Sequence, residues 1–169
     1  RTPRTLTTSP TQRTSVLIGP VDEVITTAFT FVATGAALVI LVSRPVYVDI
    51  DPRTYNLDVS QVQARITAKT KAIVPVHLYG QPADMDPLLA IANAHNIPVI
   101  EDNAQAIGAT YNGRKTGTLG LLGCLSFFPA KNLGCFGDGG AVVTNNANLA
   151  EQCRLIANHG SKKRYFHEV

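Results

Sequence analysis

The 169-residue chain has no tryptophan, one methionine and only three cysteines. Cys124, Cys135 and Cys153 are odd in number and form no C-x-x-C pair, so neither a disulfide framework nor a cysteine zinc site is supported. That usage fits a reducing, cytoplasmic setting. Charge is also sparse: 16% of residues are Asp, Glu, Lys or Arg, and the net charge is +3. Much of the basic excess lies at the two ends, including Lys162-Lys163-Arg164, and reads as a solvated face rather than a nucleic-acid groove, because no aromatics interleave with it. Long apolar runs are missing too. The longest, Phe31 to Val42, is about a dozen residues, well short of the roughly 20 that a membrane-spanning helix needs. The four histidines, His77, His95, His159 and His167, lack the spacing of a helical metal site, and no metal is expected. His77 stands at a strand end, either facing a pocket or held in a structural hydrogen bond.

What is present is a compact, 45% hydrophobic composition with regular alternation of short apolar runs and helical stretches. Strands are expected over Glu23–Thr26, Pro45–Asp49, Lys71–Val76, Pro98–Glu101, Cys124–Phe128 and Ala141–Thr144, the last two as a hairpin. Helices are expected over Phe31–Val42, as a buried helix, from Asp58 to about Ala68, over Asp84–Asn96 with Asp84 or Asp86 as cap, and over Asn146–Asn158. The pattern predicts an α/β fold: three layers, with a mostly parallel sheet flanked by helices. Arg1 to Ser15 stands apart, with six threonines, three arginines, two prolines and no acid. Its composition resembles a transit peptide, but a disordered or aberrant N-terminal segment is the plainer expectation.

Two strand ends carry chemistry. Ser126-Phe127-Phe128-Pro129-Ala130-Lys131 places a lysine on the turn after an apolar strand, just before the run Gly137-Asp138-Gly139-Gly140. Loops fixed to a rigid sheet are common sites for catalytic side chains. A lysine amine there can form a Schiff base with a carbonyl. Ile97 to Gln105 is an apolar strand ending in Glu101-Asp102, and parallel sheets bind ligands at the carboxyl ends of their strands. A lysine and an aspartate so placed suggest pyridoxal 5'-phosphate (PLP), with Lys131 as its Schiff-base lysine and Asp102 facing the pyridinium nitrogen. The plainer readings are a solvated loop lysine and a side-chain cap of the following turn.

The same residues carry a resemblance. Asp22-Glu23-Val24-Ile25-Thr26, Thr30-Phe31-Val32-Ala33-Thr34, Pro45 to Asp51, Val76-His77-Leu78-Tyr79-Gly80-Gln81, Glu101 to Ala106, Ser126 to Gly140 and Asn158-His159-Gly160 follow one another with family-like spacing. From about Gly19 to the last residue the chain resembles the DegT/DnrJ/EryC1/StrS sugar aminotransferases, of the aspartate-aminotransferase fold type. The resemblance implies a PLP-dependent transamination of a keto group on a nucleotide-linked sugar, with glutamate or glutamine as donor, by a homodimer with its active site between subunits. It also implies that Gln105 contacts the ring hydroxyl, Ser126 the phosphate, and that Phe31 stacks on the ring. A polar helix residue and a core aromatic are the plainer readings of Gln105 and Phe31.

Family proteins are about twice as long. Residues 16–169 are therefore expected to be the central part of a PLP-binding large domain, incomplete at both ends, without the small C-terminal domain. The phosphate-binding turn that similar proteins carry upstream has no match in Arg1 to Ser15, and the asparagine that reaches a neighbouring subunit would fall beyond Val169. A minority of the family dehydrates keto sugars and carries histidine in place of the lysine, which Lys131 argues against. A non-catalytic regulatory or interaction protein derived from the family is the other open reading.

Overall fold

The computed structural model describes residues 18–158 and the backbone of strands at 161–163 and 166–167. The expected anomaly at residues 1–15 lies outside the described residues. Strand β1 (Glu23–Thr27) leads into helix α1 (Val32–Ile40), then β2 (Arg44–Val48), helix α2 (Val62–Arg65), β3 (Thr70–Val74), α3 (Met85–Ala94) and β4 (Ile100–Asp102). A small hairpin, β5 (Thr110–Tyr111) with β6 (Arg114–Lys115), precedes β7 (Leu122–Ser126), β8 (Gly140–Val143) and helix α4 (Ala147–Ala157). The short antiparallel pair β9 (Ser161–Lys163) and β10 (Phe166–His167) follows.

The strands form two ladders, β2-β1-β3 and β4-β7-β8, with every pairing parallel except β7 to β8. Parallel bridges from Ile73 to Val99 and from Val76 to Asp102 join the ladders into a continuous sheet. Successive side chains on a strand face opposite sides, and both sides here are apolar. Ile25, Val48, Ile73 and Val99 pack with Val62 of α2 and Met85, Leu88 and Ala92 of α3. Val24, Ala72, Val74, Ile100, Leu122 and Cys124 pack with Leu38 of α1 and Leu41 at its C-terminal cap, and with Leu149 and Cys153 of α4. This is the expected three-layer α/β architecture. Strand order reverses direction at β1: α1 carries the chain outward to β2, whereas the later connections run through β3 toward β8. Such a reversal opens a crevice at the carboxyl ends of the strands.

Several boundaries differ from the sequence expectation. The strand expected to run to Phe128 ends at Ser126, and the hairpin it makes with β8 closes through a long loop, 127–139. The helix expected from Asp58 to Ala68 is a single 3-10 turn, Val59–Gln61, and the short α2. Asp58 caps it as expected, accepting from the Ser60 amide. The stop comes from local side-chain competition with the helix: Thr70 Oγ1 accepts the Thr67 amide at 2.9 Å, and Thr67 Oγ1 accepts the Lys69 amide at 3.0 Å. Asp84 precedes α3 without a side-chain capping bond; its carboxylate accepts the Tyr111 hydroxyl at 2.6 Å instead. Helix α1 buries one face only, through Thr34, Ala37 and Leu38, while Val32, Val39 and Ile40 are exposed, so it is not the wholly buried helix expected.

Candidate active site

The crevice holds a cavity of about 450 Å³. Its walls are the start of α1 beyond β1, Val76 just past the end of β3, the end of β4 at Asp102, the end of β7 at Ser126, and the loop after β7. All five sequence-predicted site residues, Lys131, Asp102, Gln105, Ser126 and Phe31, line it. Sequence reasoning missed Thr30, Thr34, Val76 and Asp138, which line it as well.

Lys131 is half-buried on a loop that folds back on itself. The Phe127 amide donates to Gly139 O, the Lys131 amide to Phe128 O and the Cys135 amide to Phe127 O, each at 2.8 Å. The Cys135 thiol adds a contact to Phe127 O at 2.9 Å. Gly139 permits this packing, because a Cβ there would lie 2.7 Å from Cys135 Sγ.

Asp102 is held from several directions. Its backbone donates to Pro75 O at 2.9 Å and accepts from the His77 amide at 3.0 Å, tying β4 to β3. In its side chain, Oδ1 accepts the Ala104 amide at 3.1 Å and Oδ2 accepts the Thr34 hydroxyl at 2.7 Å. The plainer reading of Asp102, a side-chain cap of the following turn, accounts for one of its oxygens only. Gln105 lies in that turn region and not in a helix. Its Oε1 accepts the amide of Tyr79 at 2.8 Å. Because an N–H donor must meet an oxygen, this bond fixes the amide orientation and leaves Nε2 available to donate. Tyr79 reaches that position with φ +53°, in the left-handed region that bulky residues rarely enter.

Behind Asp102 sits a buried polar cluster. Glu101 is fully buried, yet its carboxylate accepts the Gly117, Leu119 and Gly120 amides, each at 2.7 Å, and lies 2.8 Å from His77 Nε2. Burial pushes the Glu101 carboxyl up, but the His77, Gly120 and Gly117 hydrogen bonds outweigh it and hold the group below its ordinary value. His77 Nδ1 accepts the Ala83 amide at 3.0 Å, so the ring carries its proton on Nε2 and donates to Glu101. His77 is thus a structural histidine; Val76, beside it, lines the cavity. Cys124, paired with Asp102 across the sheet, is 4% exposed, and burial followed by the Asp102 charge pushes its thiol up, away from nucleophilic use.

Ser126 Oγ receives the Phe128 amide only at 3.4 Å, which leaves its hydroxyl proton to donate elsewhere. Phe31 precedes α1 and is 67% exposed, which rules out the core-packing reading. Among the described residues no cluster of three or more His, Cys, Asp or Glu side chains is arranged to hold a metal ion. No described helix is long and apolar enough to cross a membrane.

The sequence profile of the DegT/DnrJ/EryC1/StrS aminotransferase family matches residues 12–169. The chain belongs to this family. It is 57% identical over 150 residues to the UDP-2-acetamido-2-deoxy-3-oxo-D-glucuronate aminotransferase of Pseudomonas aeruginosa, covering 89% of this chain and 42% of that protein. It is 59% identical over 152 residues to a pleiotropic regulatory protein of Geobacillus stearothermophilus, covering 90% of this chain and 41% of that one. The crystal structure of S. venezuelae DesV in complex with a ketimine intermediate superposes with a TM-score of 0.87 at 48% identity, over 90% of this chain and 41% of DesV. The chain thus spans about two fifths of the length of these relatives in the DegT/DnrJ/EryC1/StrS family.

Proposed function

We propose that this chain carries the cofactor-binding part of a PLP-dependent aminotransferase that acts on a keto group of a nucleotide-linked sugar, with glutamate or glutamine as amino donor. The observation that carries the reading is the meeting of Lys131 and Asp102 on one cavity of about 450 Å³ at the carboxyl edge of the sheet. The donor set suits a substituted pyridine: an amine for the aldehyde carbon, a carboxylate for the ring nitrogen, an amide for the ring hydroxyl, a serine hydroxyl for phosphate, and an exposed aromatic ring to cover a face. The named activities of the relatives support the substrate class.

When bound, PLP supplies an electron sink for charge developing on the amino donor's α-carbon. Each side chain then has a defined task. Asp102 would keep a proton on the ring nitrogen, Gln105 Nε2 would donate to the ring hydroxyl, Ser126 would donate to phosphate, and Phe31 would cover a face of the ring. Lys131 would anchor the aldehyde carbon, and its freed Nζ would take the donor's α-carbon proton as general base and deliver it to the former aldehyde carbon as general acid. Residues 16–169 form on this reading the central part of the large domain. The exposed Phe31 and Phe128, which line the cavity, support a homodimer that closes the site.

The name of the Geobacillus stearothermophilus relative favours a second reading, a regulatory protein without turnover. One experiment separates the two. With this segment joined to the flanking regions of a full-length relative, borohydride reduction in the presence of PLP followed by peptide mapping is expected to find the adduct on Lys131, and Lys131→Ala to abolish both the adduct and transamination. An adduct on another lysine overturns the assignment; a Lys131 adduct with no turnover on any keto sugar favours the regulator.

A further inference from the structure

We infer that Thr34, on the first turn of α1, is a positioning residue that aims the Asp102 carboxylate, with Thr30 as the outer link of a directional hydroxyl chain. The inference rests on the PLP reading above and names a residue that reading does not use. Asp102 has its backbone fixed on both sides, by β3 through Pro75 and His77 and by β7 through the pairing with Cys124. What the strands leave open is the torsion of the carboxylate, a terminal sp³–sp² rotation with broad, roughly two-fold preference. Thr34 comes from a different element and settles it. Its side chain is buried, with the residue 3% exposed, and its hydroxyl lies 2.7 Å from Asp102 Oδ2.

The direction of the chain follows from counting protons. A threonine hydroxyl has one proton to donate, and a carboxylate oxygen can only accept. Thr34 therefore gives its proton to Asp102 and receives, at 3.1 Å, the proton of Thr30. The other carboxylate oxygen accepts the Ala104 amide. Each oxygen thus has one partner on the protein and keeps a lone pair for a cationic N–H in the cavity that Asp102 lines. Such support raises affinity by pre-organising the acceptor before the ligand arrives, not by adding a contact to it. Thr30 lies two residues before α1, across the extended Phe31 at the helix cap, and its hydroxyl reaches back to Thr34 at 3.1 Å.

The test is a double-mutant cycle on PLP affinity, in protein expressed from its complete reading frame, with borohydride trapping on Lys131 as the control for the underlying reading. Thr34→Val keeps shape and removes the hydroxyl; Thr34→Ser keeps the hydroxyl. A hydrogen bond to a charged group is worth enough that Thr34→Val should weaken PLP binding about tenfold. Thr34→Ser should stay within about twofold of wild type. In an Asp102→Asn background Thr34→Val should add less than about twofold, because the group it acts through is gone. Wild-type affinity in Thr34→Val, or an undiminished loss in the double variant, overturns the inference while leaving the PLP reading intact. Loss in Thr34→Ser equal to that in Thr34→Val also overturns it, by showing a packing role. Absence of any Lys131 adduct in the wild type overturns the reading and this inference together.

Discussion

Asp102 differs from asparagine by one charge and one acceptor, and the proposed chemistry uses both. With Asp102→Asn the ring nitrogen loses the partner that keeps it protonated, while Thr34 and Ala104 still find one oxygen between them. PLP is expected to bind more weakly, and turnover at saturating cofactor to fall by about 10²-fold, the scale of removing one charge-stabilising group. Steady-state kinetics with a nucleotide keto sugar checks this; near-normal turnover would reduce Asp102 to the turn-forming role that Oδ1 already plays. Lys131 and Asp102 were legible in the sequence because an apolar strand followed by an abrupt polar residue marks a sheet's carboxyl edge. Thr34 was not. A hydroxyl inside Phe31–Val42 reads as an interruption of an apolar run, and only the fold brings it within reach of a strand 68 positions later. Gln105 was legible as a polar residue near the site, but the bond from Tyr79 that orients its amide was not, since it depends on a left-handed tyrosine in another loop.

The elements around the site depend on the buried Glu101–His77 pair, which closes the ends of β3 and β4 and gathers the loop at Gly117–Gly120. The folded carboxyl sits below its ordinary value of 4.5, so on acidification the unfolded chain takes up the proton first. Glu101 therefore contributes stability that is complete above about 4.5 and is lost as pH falls through the lower folded value. Glu101→Gln should cost about 3 kcal/mol at pH 7, because an amide NH₂ meets the loop's N–H donors where an oxygen stood. It should also flatten the acid side of the pH–stability profile. Urea unfolding at pH 7 and at stepwise lower pH measures both; a variant as stable as wild type with the same acid slope would show that other carboxylates govern the loss. At this scale the strand positions were legible from apolar runs, and the helix after Asp58 was overextended because Thr67 and Thr70 satisfy backbone donors outside it. The β5–β6 hairpin is absent from the sequence expectation. Its two-residue strands are too short to alternate, yet Asn112-Gly113, with φ +47° and +76°, is the turn pair that favours a hairpin.

For the whole molecule, the order β2-β1-β3-β4-β7-β8 could not be read from local patterns, because parallel pairing joins segments far apart in sequence. That order makes the crevice and also leaves its outer side uncovered. Phe31 and Phe128, which line the cavity, are 67% and 50% exposed, so aromatic rings face outward at the crevice, and exposed apolar groups beside a site suit a covering partner surface. Lys131 is the one cationic side chain among the described residues lining the cavity, and in the proposed chemistry it serves the aldehyde rather than the phosphate. Phosphate is then left to hydroxyls such as that of Ser126, whereas strong anion sites combine several free N–H groups or an arginine fork with a favourable dipole. The 169 residues expressed by themselves are therefore expected to bind PLP only weakly, with Kd above about 100 µM. They should show no measurable aminotransferase activity and should self-associate in gel filtration. Joining the segment to the flanking regions of a full-length relative should restore tight binding and turnover together, because both depend on covering the same face. Binding below about 1 µM with turnover by the segment alone would mean that the cavity is complete without a cover.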